Sequence, residues 1–188
     1  MRAPVRFWRP RLRALGWTRR EDGASTLPAM LFLPFFLMVF FSSVEMSVMM
    51  LKQVLLERGV SLTARILQLG IANFPTEAQL KSSICKNIAF VPDCSTNLRV
   101  QLFEVDKNTW TTTSTTSTPN CVDKSLATQP TPTLDRGAAN QLVLMRVCLL
   151  SRLMMPTSGL GAAIGDPATG RVALVANTAF VNEPRGGQ

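Results

Sequence analysis

Residues 27–51 read LPAMLFLPFFLMVFFSSVEMSVMML, and the fold of the chain turns on them. Up to Val44 the run is apolar except for Ser42 and Ser43, and it carries no Lys or Arg. About 20 such residues in a helix cross the hydrocarbon of a bilayer. The alternative, a core helix of a soluble domain, needs a large surrounding core. A chain of 188 residues offers little to enclose so long an apolar stretch. We therefore expect a transmembrane helix over 26–51. Pro28 falls in its first turn, where the missing N–H costs nothing. Pro34 lies deeper and is expected to kink the helix.

Charge gives the helix a direction. The chain holds 20 Lys and Arg against 12 Asp and Glu. Seven of the basic residues are Arg within residues 1–25, a leader opposed only by Glu21 and Asp22. By the positive-inside rule that leader (1–25) is cytoplasmic and the remainder is exported. A cleavable signal peptide is the competing reading, but no small-x-small cleavage site follows the apolar run. Arg residues with Trp8 and Trp17 also permit a nucleic-acid reading. Beside a membrane span they face anionic headgroups, so membrane lipid is the expected partner and nucleic acid is not.

Past the span, Val44, Val48, Leu51, Leu55, Leu62, Ile66 and Leu69 recur at heptad-like spacing, with one seam position given to Arg58–Gly59. This predicts an amphipathic helical extension over 52–70, stopped at Gly70. The stripe either packs on the chain's own C-terminal domain or meets helices of other subunits; Val48, Leu51 and Leu55 are the candidates for outward packing. Glu45 is the one ionisable group within the apolar stretch. It is either a functional intramembrane acid or a group at the outer interface.

The remainder, 71–188, reads as a small α+β head. Thr76–Gln79 fits a capping box and predicts a helix over about 77–86. Arg99–Val105, Leu142–Leu150 and Val172–Val181 are rich in β-branched and apolar residues and predict strands, three or four in an antiparallel sheet. The Thr/Ser-rich stretch 108–120 is expected to be a mobile surface loop. Asp166–Gly170 is expected to turn, as are the glycines of 159–165.

The chain has no His, which excludes His-based triads, imidazole bases and His-containing metal sites. Its Asp residues are scattered singly, and Gly159–Gly165 lacks the ending of a phosphate-binding loop. We expect no catalytic, cofactor-binding or metal-binding residues. The four cysteines, Cys85, Cys94, Cys121 and Cys148, show no CxxC spacing, and on the exported side an even count favours disulfides. Three pairings are possible. Cys85–Cys94, closing a local loop, and Cys121–Cys148, tying the Thr-rich loop to a strand, are the favoured pair.

At 19–37, RREDGASTLPAMLFLPFFL, and at 50–70, MLKQVLLERGVSLTARILQLG, the chain resembles the TadE-like (TadE/TadG) proteins of the tight-adherence (Flp) pilus system. The resemblance covers about residues 17–70. It implies a membrane-anchored, minor-pilin-like assembly component in the inner membrane of a Gram-negative cell, with a periplasmic head. The partners it implies are other pilus assembly proteins or pilin-like subunits, met through the N-terminal helix in an oligomeric association. The alternative is an anchored periplasmic domain that binds a small ligand or polysaccharide. Prepilin-like chains are cut after a Gly before the apolar helix, and Gly23 with Ala24 occupies that place. The fifth residue after that cut is commonly Glu, but here it is Pro28. A freed amine at Ala24 would lack its usual carboxylate, so the bond is expected to stay intact.

Overall fold

A computed structural model describes residues 26–69, 74–88, 91–109, 119–126, 128–157 and 159–183, all but the side chain of Leu27. Gly23, Ala24, Gly70 and most of the Thr/Ser-rich stretch lie outside them. The chain is α+β, with one long apolar N-terminal helix, a three-stranded antiparallel sheet and two disulfides.

Helix α1 runs from Thr26 to Gln68 and continues through Pro34. Among the described residues it is long and apolar enough to cross a membrane. The chain divides into two units, Met1–Phe36 and Leu37–Gln188. In the first, Met30, Leu31, Phe32, Leu33, Phe35 and Phe36 are all exposed. The second unit contains the rest of α1 and the whole head.

Within that second unit, α2 (Glu77–Lys86) begins at a complete capping box. The Thr76 hydroxyl accepts the Gln79 N–H, and the Gln79 carbonyl accepts the Thr76 N–H, so two otherwise orphaned amides are satisfied. Leu80 and Ile84 on its inner face are buried. Its partner surface is α1 at Gly59, where an added Cβ would lie 3.1 Å from the Ile84 carbonyl oxygen. The seam position that lacks a large side chain thus admits a second helix.

A single turn, α3 (Cys94–Asn97), leads into β1 (Leu98–Val105), followed by β2 (Leu142–Arg152) and β3 (Arg171–Val181). The sheet order is β1-β2-β3, both pairs antiparallel, with Val100 opposite Val147 and Val147 opposite Ala176. Alternating residues Val143, Met145, Val147 and Leu149 are buried, as are Leu174, Ala176 and Phe180. They join Met49, Leu56, Val60, Ala64 and Leu67 of α1 in one core. Strand β1 is buried on both faces over Leu98–Leu102. Its outer edge is taken up by a parallel bridge between Leu102 and Leu134, with Leu102 donating to the Thr133 carbonyl at 2.9 Å. The backbone groups of Leu102 are thereby taken up within the chain.

The β2–β3 connection carries both a turn and a departure from expectation. At Asp166–Gly170 the Gly170 amide donates to the Asp166 carbonyl at 2.7 Å. The Asp166 carboxylate accepts from the Thr169 hydroxyl and the Ala168 amide, which holds its carboxyl below the usual range. The glycine-rich stretch before it is not a turn but a short helix, α4 (Gly159–Ile164). The correction has a steric cause. A Cβ at Gly159 would lie 2.3 Å from the Ser42 hydroxyl, and one at Gly161 2.1 Å from the Met155 carbonyl oxygen. These glycines let α4 pack directly on α1 and on the Met155–Pro156 backbone that leads into it.

Candidate functional site

Where α1 passes beneath residues 152–160, its polar side chains satisfy head backbone. Glu45 is 1% exposed. Its carboxylate accepts the Met154 amide at 3.0 and 3.2 Å and the Met155 amide at 3.0 Å. One turn earlier the Ser42 hydroxyl accepts the Leu160 amide at 3.2 Å. Two turns later on the same face, Lys52 donates to the Arg152 carbonyl at 3.0 Å. Lys52 is 8% exposed. Burial pushes its ammonium below the ordinary range, and the nearby charge of Glu45 opposes that shift. Gln53 donates to the Val175 carbonyl at 3.0 Å, so α1 reaches β3 as well. Glu45 is therefore covered by protein and tied to the strand end and loop above it.

The face of α1 that meets the head is offset from the stripe that periodicity picks out. The buried positions are Glu45, Met49, Lys52, Leu56, Gly59–Val60, Thr63–Ala64 and Leu67. Of the stripe singled out from periodicity, Leu51, Leu62, Ile66 and Leu69 are exposed, and Val44, Val48 and Leu55 are half-buried. Leu55 also packs against the core cluster. Leu62, Ile66 and Leu69 do not pack into the head, and of the candidates for outward packing Leu51 is the exposed one.

Beside Lys52 lies a cavity of about 450 Å³. Its charged lining residues are Lys52, Arg152, Arg171 and Asp93. Arg152 and Arg171 face each other across the β2–β3 ladder. Like charges directly opposite one another destabilise a sheet. Arg171 donates to the Asn97 side-chain oxygen at 2.8 Å, and Asn97 is held in turn by the Asp93 carbonyl. Asp93 sits in the left-handed region at φ 56° and its carboxylate caps no helix amide. Sequence reasoning missed this cluster. Only the seven-residue interval from Glu45 to Lys52, two helical turns, was visible as a sign of a shared polar face.

The structure pairs Cys85 with Cys94 and Cys121 with Cys148, the pairing favoured from the sequence. No group of three or more Cys, Asp or Glu able to hold a metal ion occurs among the described residues. A comparison with protein-family models, with curated proteins and with solved structures finds no match to this chain.

Proposed function

We propose that the protein is a membrane-anchored structural or assembly component, minor-pilin-like, of a tight-adherence Flp-type pilus, held in the bacterial inner membrane with its head in the periplasm. One observation carries the reading. The head packs on one face of α1, Met49, Leu56, Val60, Ala64 and Leu67 with Glu45, Lys52 and Thr63 among them, and leaves many other apolar side chains of the same helix exposed. In the Leu37–Gln188 unit these include Val39, Phe40, Met46, Met50, Leu51 and Val54. A helix of a soluble domain buries one apolar stripe and presents polar side chains on the opposite face. Exposed apolar surface of this extent is stable when lipid covers the lower part and neighbouring helices cover the part beyond it. The resemblance of residues 17–70 to TadE-like proteins supports the same role, in which the work is packing and anchoring and no bond is made or broken.

Leu51 separates association from folding. It is 50% exposed and is not a member of the core cluster. Leu51→Arg is expected to weaken association in membranes at least tenfold, read by cross-linking and by sedimentation in micelles. Its urea midpoint should move by less than about 0.5 kcal/mol equivalent. Association unchanged by the substitution would remove helix packing as the function. Leu55 is the poorer choice, because its contact with the core mixes the two effects.

Orientation is tested separately. A reporter active only in the periplasm, fused after Gln188, is expected to be active, and a strictly cytoplasmic one silent. The reverse result would overturn the topology drawn from the seven leader Arg.

A further inference from the structure

The geometry points to the cavity between Lys52, Arg152 and Arg171 as a binding site for a phosphoryl group. Its size falls within the range of small-ligand pockets, about 300–1,000 Å³. Three cations line it against one carboxylate, Asp93. Asp93 forms no ion pair with any of them among the described residues. The Arg152 guanidinium has neither a hydrogen-bond nor an ion-pair partner there. Lys52 is buried and spends one of its three N–H donors, on the Arg152 carbonyl. Glu45 stands near Lys52 but outside the lining, and its oxygens are taken by the amides of Met154 and Met155.

The Arg152–Arg171 juxtaposition is the decisive feature. Two guanidinium groups at paired positions of a ladder repel each other, and a surface ladder with no ligand to bind gains nothing from them. An anion between them turns the repulsion into two charge-assisted contacts. Paired forks suit tetrahedral phosphoryl oxygens, which accept bidentate hydrogen bonds. Charge selects among anions. The lining carries two positive charges in excess, which a phosphomonoester at about −1.5 to −2 neutralises and a lipid phosphodiester, with a single charge, neutralises in part. The buried Lys52 supplies a point charge held in place by the strand end. Asn97 fixes Arg171 from the other side at 2.8 Å, so the site is held open before a ligand arrives. The phosphoryl group can belong to a soluble phosphorylated compound or to a lipid headgroup. The inference stands on residues within the Leu37–Gln188 unit and does not depend on the pilus reading.

The test uses the full chain in nanodiscs, with inorganic pyrophosphate as probe, in discs of phosphatidylcholine and in discs containing phosphatidylglycerol. Calorimetric titration in the neutral discs is expected to show saturable binding of one pyrophosphate per chain. Arg152→Gln is expected to weaken it about tenfold or more, the loss of a charge-assisted contact. Because Arg152 has no partner to lose, the same variant should melt no lower, and even slightly higher, than the parent without ligand. A merely structural arginine would give the opposite shift. If the source is a lipid headgroup, phosphatidylglycerol will compete pyrophosphate out of the parent and not alter the variant. If it is a soluble compound, the affinity will be the same in both discs. Absence of any binding dependent on Arg152 in both kinds of disc overturns the proposal, as does equal binding by Arg152→Gln.

Discussion

Glu45→Ala is expected to lower the stability of the Leu37–Gln188 unit by about 3–5 kcal/mol, the range for breaking a buried, partnered charge. The reasons are local. The amides of Met154 and Met155 lose their acceptor while remaining covered, and an unsatisfied buried donor costs about 1–3 kcal/mol. Lys52, 8% exposed, loses the charge that offsets its burial. Glu45→Gln keeps the shape and one carbonyl oxygen but turns an NH₂ group towards an amide donor. It should cost roughly half as much and serves if the Ala variant does not fold. Urea unfolding of the full chain in micelles, followed by far-ultraviolet circular dichroism, measures both. Amide exchange at Met154 and Met155 should accelerate together in either variant. The alternative role for Glu45, an acid acting on a partner within the membrane, predicts a different pattern: weakened association with an unchanged unfolding midpoint. That outcome would show the contacts at 3.0 Å to be incidental.

Local signals were legible in the chain and tertiary ones were not. Thr76 and Gln79 specify the start of α2 because both halves of a capping box lie within four residues. The β-branched runs locate all three strands to within two residues at either end. The buried face of α1 was misread for a physical reason. Periodicity weights apolar side chains, and the face that packs on the head carries Glu45, Lys52, Gln53 and Thr63. Three of these are satisfied by backbone groups 100 or more residues away in the chain, and no local pattern announces those partners. Thr63 bonds back to the Gly59 carbonyl within the helix. The same holds for the cationic cavity. Arg152 and Arg171 are 19 positions apart and meet only through the register of β2 with β3. In Gly159–Gly165 the glycines suggested a turn, since close approach to Ser42 and Met155 is invisible until those groups are placed. Of the two readings the stripe allowed, packing on the chain's own head or against other helices, the exposure of Leu51, Leu62, Ile66 and Leu69 takes those four out of the core of the head.

Loss of the Cys121–Cys148 bridge is the other large effect expected, about 2–4 kcal/mol. The two cysteines are 27 positions apart, against 9 for Cys85 and Cys94. Closing the longer loop removes more freedom from the unfolded chain, so its removal should cost more than removal of the shorter one. The folded state adds a second reason. Cys148 is buried on β2 directly opposite Arg99 of β1, and Arg99 is itself 4% exposed. The Arg99 guanidinium donates to the Pro130 carbonyl at 2.7 Å, and its Nε is buried without a partner. Segment 119–135 thus covers a buried cation, held by the disulfide near its start and by the Leu102–Leu134 bridge near its end. Releasing the disulfide leaves the Leu102–Leu134 bridge and the Arg99–Pro130 hydrogen bond to hold the segment, and water gains access to Arg99. Cys121→Ser combined with Cys148→Ala is therefore expected to lower the urea midpoint more than Cys85→Ser combined with Cys94→Ala. It should also speed exchange at the Leu102 amide, whose acceptor is Thr133. Neither pair should change association through Leu51, since all four cysteines lie outside α1. Equal midpoints for the two double variants, with the Leu102 amide still protected, would show that segment 119–135 is held by its own contacts and not by the bridge.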